Sequence, residues 1–144
     1  MAKPSKSVVE AWIALNRAQR HAFEAVEAEL KSAGLPPLAW YDVLLELGRE
    51  PGRRLRQGDL EHRMLFPQYG ISRLVDRLAR EKLVRRERCE EDARACWVVI
   101  TDKGLALRAR MWPPYAAAIE RHVGEKLPDP EAAQMAEGLR KLAP

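Results

Sequence analysis

Little in this chain supports chemistry of its own. Two cysteines, Cys89 and Cys96, are too few for a disulfide framework. They share no metal-ligand spacing with His21, His62 or His122. Glycine is scarce, and neither a phosphate-cradling loop nor a Ser/His/Asp set stands out. Neither a catalytic role nor a cofactor or metal is therefore expected. No apolar run approaches the length of a membrane span. The opening "MAKPSKSVVEAW" lacks the apolar core of a signal peptide, which predicts a cytoplasmic protein without a membrane partner. Aromatic residues are only 6% of the chain, and Trp40, Tyr41, Trp97 and Trp112 read as core or interface positions.

What is present is a balance of 47% apolar and 32% charged residues over 144 positions, which suits one folded domain. The net charge of +4 is concentrated. Residues 53–94 hold twelve Lys/Arg and eight Asp/Glu, so this segment carries all of it and the flanks sum to zero. A basic centre between neutral flanks suits a polyanionic partner. A solvated Arg-rich face would look the same, and charge alone does not separate the two.

Apolar periodicity predicts a mainly α chain. Val8, Trp12, Leu15, Phe23, Val26 and Leu30 mark a long first helix from about Ser7 to Ala33, its stripe broken at Gln19 and stopped by Gly34, Pro36 and Pro37. A second helix follows over Leu38–Arg49 with Val43, Leu44 and Leu47 inward, and "EPGRR" reads as a turn. "QGDLEHRML" is a short third helix. A fourth is expected to start at Phe66-Pro67 and run to Lys82, with Ile71, Leu74, Val75 and Leu78 inward. The period then changes from 3.6 to 2, so "LVRRER" and "ACWVVIT" predict one isolated β-hairpin with its tip at Glu90–Arg94 and its end at Lys103-Gly104. A helix kinked at Pro113-Pro114 and a last helix with Asp129 as N-cap close the chain. Two helices joined by a tight turn and followed by a hairpin make a winged helix-turn-helix over residues 35–104. The expected organisation is a single domain, with residues 1–34 and 105–144 as flanking dimerisation helices.

"DLEHRMLFPQYGISRLVDRLAREKLVRRERCEEDARACWVVITDKG" resembles the winged-helix core of the MarR family of bacterial transcription regulators. Asp92-x-Arg94, the strand ending in Ile100-Thr101, and Gly104 are similar to the family's wing signature, and "SRLVDRL" to its recognition helix. The chain departs from the family at Lys82, where glycine is usual, so Lys82 is expected to be left-handed. The resemblance implies that Asp92 braces the wing.

On the fourth helix, Gln68, Tyr69, Ser72 and Arg73 are the candidate base contacts, since residues near the start of a recognition helix enter the major groove deepest. Arg77 and Arg80 suit phosphate, or ion pairs with Asp76. Arg94 suits a minor groove. These residues point to double-stranded DNA, with a winged module that docks a protein partner as the other reading. A DNA-binding chain of this kind is expected to be a homodimer on a palindromic operator, with half-sites about 34–36 Å apart, and a repressor. Leu105, Leu107, Met111, Trp112, Tyr115, Ile119, Val123, Leu127, Met135, Leu139 and Leu142 are the expected dimer surface. Members of the resembled family often bind small aromatic or phenolic acids. That implies an effector here, for which Asn16, Arg20, Trp40 and Tyr41 would supply a carboxylate partner and an aromatic wall. Cys89 and Cys96, on opposite strands of the hairpin, invite a redox reading beside the plainer one of two ordinary thiols.

Overall fold

The computed structural model describes residues 2–66, 70–89 and 92–143. The elements are α1 (Lys6–Ser32), α2 (Leu38–Arg49), β1 (Arg54–Arg56), α3 (Gln57–Arg63), α4 (Ile71–Arg80), β2 (Val84–Cys89), β3 (Asp92–Ile100), α5 (Asp102–Ile119), a π-helical turn (Glu120–Gly124) and α6 (Asp129–Arg140). They form two compact units, and the division falls within α5. One comprises residues 1–33 and 114–144, the other residues 34–113.

In the first unit, Ser5 caps α1 by accepting the Val8 amide at 3.2 Å, and Gly34 beyond its end is left-handed at φ 74°. Glu29 on α1 pairs with Arg121, and its other oxygen lies 3.5 Å from His122 Nε2 on the π-turn. Pro128 stands at the N-cap of α6, which moves the expected cap by one residue and makes Asp129 the first helical residue. Pro cannot donate inside a helix but fits the first turn, so Pro130 is tolerated there.

In the second unit α2 buries Leu38, Val43, Leu44 and Leu47. The core continues through Leu55, Leu60, Ile71, Val75, Leu78, Val84, Val98 and Ile100. The hairpin is not isolated. A third strand, β1, joins it to give a sheet of order β1-β3-β2, antiparallel throughout. Arg54, Leu55 and Arg56 face Val99, Val98 and Trp97, so the chain is a strand from the last residue of "EPGRR" onward. Asp92–Arg94 belongs to β3 and not to the tip.

The fourth helix starts later than expected, at Ile71. Gly70 is left-handed (φ 76°, ψ 56°), a conformation that cannot sit inside a right-handed helix. Lys82 is left-handed at φ 61°, as its place between helix and wing requires.

Thr101 ends the hairpin and starts α5. Its hydroxyl lies 2.7 Å from the Lys82 carbonyl and 3.0 Å from that of Leu83, and it accepts the Gly104 amide at 3.1 Å. Gly104 is therefore in the first turn of α5 rather than at the end of the hairpin. Leu107, Met111 and Tyr115 are buried in the chain itself. This corrects their placement on an exposed dimer surface.

Candidate nucleic-acid interface

The free face of α4 follows from its buried one. With Ile71, Val75 and Leu78 turned inward, Ser72, Arg73, Arg77 and Arg80 are exposed. The helix is entered through the left-handed Gly70, whose carbonyl accepts the amides of Arg73 at 3.0 Å and Leu74 at 3.2 Å. An exposed Ser and two arginines in the first two turns present groups that can reach base edges and phosphates.

Arg86 fixes α4 against the wing. Strand alternation and register put Arg86 on the same face of the sheet as Leu55, Val84 and Val98. From there its guanidinium pairs with Asp76 on α4, donates to the Ser72 carbonyl at 3.2 Å and donates to Gln57 Oε1 on α3 at 3.3 Å. One side chain thus joins three elements. The hydrogen bond from Arg86 is the main reason that the Asp76 carboxyl lies below its ordinary range. Asp76 is bonded to the wing, and the charge of Arg80, four residues further along its own helix, lowers its carboxyl as well.

The opposite face of the sheet carries Trp97 with arginines over its ring. The Arg54 guanidinium is 4.2 Å and that of Arg56 is 5.2 Å from the ring centroid, which suits cation–π contact. Glu87 pairs with Arg85 and lies 3.6 Å from Arg54. Part of the basic inventory of residues 53–94 is therefore bound to the protein: Arg53 to Asp102, Arg54 and Arg85 to Glu87, Arg63 to Glu50, and Arg86 to Asp76.

The structure brings Ser72, Arg73 and Arg77 together on one exposed face. Gln68 and Tyr69 lie outside the described residues. For Asp92 and Arg94 the backbone alone is described, in β3. Cys96 stands opposite Arg88 and Cys89 opposite Asp92, so the two cysteines are not cross-strand partners. Asn16 and Arg20 are exposed on α1, where Asn16 Nδ2 donates to the Trp12 carbonyl at 2.7 Å. Trp40 is half-buried, and Tyr41 is buried with its ring stacked on Trp112 at 6.1 Å and 21°.

Sequence reasoning missed Arg86 as a fastener. The signal was available in the period-2 pattern, which sets an arginine on the apolar face of a strand. It placed Trp97 only as a core or interface position, since its arginine partners on β1 could not be named without that strand.

Helix-turn-helix α3–α4 and the three-stranded wing behind it define a winged helix-turn-helix protein. Comparison with known proteins agrees. A family model described as "MarR family" matches residues 33–95. The chain is 27% identical over 133 residues to the HTH-type transcriptional regulator MhqR of Bacillus subtilis (strain 168), covering 91% of this chain and 88% of that protein. Among solved structures it is similar to AbsC, a MarR family transcriptional regulator from Streptomyces coelicolor, with a TM-score of 0.83, 26% identity and coverage of 99% and 96% of the two chains. It also shares the fold of Sco3205 from the same organism, a MarR family regulator solved in complex with DNA. There the TM-score is 0.85 and the identity 24%, over 99% of this chain and 90% of that one. Residues 33–95 thus match the model of the MarR family, and the similarity to these MarR family regulators extends over nearly the whole chain.

Proposed function

We propose that this regulator acts as a homodimeric repressor that reads a palindromic DNA operator through α4 and is released by a small aromatic or phenolic acid. The observation that carries the DNA reading is the exposed Ser72, Arg73 and Arg77 face on a helix fixed to the wing by Arg86. Ser72 and Arg73, with Gln68 and Tyr69 before them, are the base-reading group. Arg77 contacts phosphate, and Arg94 enters the minor groove.

Dimerisation is supported by the first half of α1. Val8, Val9, Trp12 and Ile13 are 58%, 41%, 66% and 41% exposed, and on the C-terminal side Met135 and Leu142 are 46% and 70% exposed. Large apolar side chains grouped in this way on one helix mark a surface that another chain covers. Arg20, exposed on α1, is the cation for an effector carboxylate.

The test is selection of bound duplexes from a random pool, followed by titration of the selected duplex over a range of salt. Affinity should fall by orders of magnitude between low and physiological salt as counterions are released. Arg73→Ala should cost about 1–3 kcal/mol on the selected site, and Arg94→Ala should weaken all duplexes. If both variants bind as the wild type does, the DNA reading is wrong. A monomer by light scattering removes the dimer. A complex that no aromatic carboxylate loosens, or that loosens equally in Arg20→Ala, removes the effector reading.

A further inference from the structure

We propose that Asp42 is a positioning residue for the recognition helix: from α2 its carboxylate holds the turn between α3 and α4 by accepting the Phe66 backbone amide, and so fixes where α4 begins. The inference rests on the reading of α4 as the DNA-reading helix.

The hydrogen bond from Phe66 N to Asp42 Oδ2 is 3.0 Å long. Asp42 is 4% exposed, the one buried charged side chain among the described residues. It sits in the apolar face of α2, beside Leu38, Tyr41 and Val43. A carboxylate there is costly, because burial disfavours the charged form. Burial pushes the Asp42 carboxyl above its ordinary value of 3.8, the Phe66 and Leu65 amides pull it partly back, and the charge of Glu46 adds to the rise. An apolar residue of similar volume would be the cheaper choice for packing alone. What an apolar residue cannot do is accept an amide.

α3 ends at Arg63, Leu65 is 68% exposed, and Met64 and Phe66 are half-buried, so apolar burial is incomplete along the described part of the turn, residues 64–66. Asp42 does not act alone. Asp42 and Glu46, four residues apart on one face of α2, and Glu50, the residue just past its end, form an acidic row. Glu50 pairs with Arg63 at the end of α3; the hydrogen bond that Arg63 donates to Glu50, and then the charges of Glu50 and Glu46, raise its guanidinium above its ordinary value. One end of this row holds the last side chain of α3, and the other holds the backbone just beyond it. Phe66 precedes the left-handed Gly70 by four residues, which puts the hold close in sequence to the first turn of α4, where Ser72 and Arg73 stand.

The experiment compares Asp42→Asn, Asp42→Ala and Asp42→Leu in the full chain. Each is titrated against a duplex selected by the wild type from a random pool and against an unselected random duplex. Hydrogen exchange of the Phe66 amide is followed by NMR in parallel. Asn keeps an acceptor oxygen without the charge, so its binding should stay within about twofold of wild type and its Phe66 amide should remain protected. Ala and Leu remove the acceptor. Their affinity for the selected duplex should fall about tenfold, the equivalent of about 1.4 kcal/mol, while binding to random duplex through phosphates is little changed. A purely structural role would lower the melting temperature without separating the two duplexes. The proposal is overturned if a folded Ala or Leu variant keeps wild-type affinity for the selected duplex, or if Asn loses it as they do. Should neither apolar variant fold, the amide decides: slow exchange at Phe66 in wild type and Asn supports the hold, and fast exchange in wild type refutes it. A wild type that selects no sequence sinks the DNA reading instead, and the exchange measurement still tests the hold.

Discussion

Replacing Gly104 with alanine should destabilise the protein, although the same change in most helices does the opposite. Gly104 lies in the first turn of α5. By helix propensity alone, alanine would be worth about 1 kcal/mol more than glycine. A methyl group at this position, however, would overlap the Leu83 carbonyl oxygen, fall 2.8 Å from Ile100 Cγ1 and come within 3.2 Å of Leu44 Cδ2. Two of these neighbours are buried side chains, and the third is backbone at the start of the wing, which cannot swing aside. Overpacking against backbone sits at or above the top of the usual range of about 1–3 kcal/mol, about 3–4 kcal/mol here, so after the propensity gain the net loss should be about 2–3 kcal/mol. With an unfolding entropy of roughly 2.1 cal/mol/K per residue, that corresponds to a drop of about 7–10 °C in a chain of this length unfolding in one transition. Gly138 in α6 provides the control, because a methyl group there would meet nothing within 4 Å. Gly138→Ala should raise the melting temperature slightly, by the equivalent of about 0.5–1 kcal/mol. Thermal unfolding by circular dichroism reads both. A Gly104→Ala protein as stable as wild type would mean that the approach of α5 to the Leu83 carbonyl is looser than the structure has it.

Three other changes can be measured the same way. Lys82→Gly should stabilise by about 1 kcal/mol, since a left-handed non-glycine residue costs that order of energy; an unchanged or lower melting point would contradict the strain. Arg86→Ala removes the donors to Gln57 and Ser72, worth about 1–3 kcal/mol together, and should reduce affinity for a selected duplex more than for a random one. Equal loss on both duplexes would mean that Arg86 contributes charge and not placement. The two aspartates give opposite pH signs. Asp42 has a folded value raised first by burial, so its stability contribution falls as pH climbs from about 3.8 through that value, and the stability gap between Asp42→Asn and wild type should open over that window. Asp76 is lowered first by its bond from Arg86, so that contribution is present above its ordinary 3.8 and lost only at more acid pH. Melting temperatures of wild type and Asp42→Asn from pH 3.5 to 7.5 test this, and a gap of constant size would refute it.

Local pattern made much of the interface legible. The stripe through Ile71, Val75 and Leu78 left Ser72, Arg73 and Arg77 outward, and the structure has them there. The left-handed Lys82 was legible from the glycine that the resembled family usually has at this position. What failed was whatever depends on partners far along the chain. β1 is three residues long and has no periodicity of its own; only pairing with Val99, Val98 and Trp97 makes it a strand. Gly104 read as the end of a hairpin because its neighbour across space, Leu83, is not its neighbour in sequence. Leu107 and Met111 looked like surface for a second chain because their own core partners lie in other elements.

The fastening of α4 by Arg86 also bears on how such proteins can be re-engineered. Asp76 lies on α4, the helix proposed to read DNA, and its carboxylate is neutralised by a residue of the wing. A graft of residues 71–80 alone into another winged scaffold would carry Asp76 without Arg86. An uncompensated negative charge would then face the phosphates, and the helix would lose the donor that sets the Ser72 carbonyl in place. The transplantable module is thus the helix together with the strand behind it, residues 71–88. Swaps of that length should keep sequence preference where swaps of the helix alone lose it.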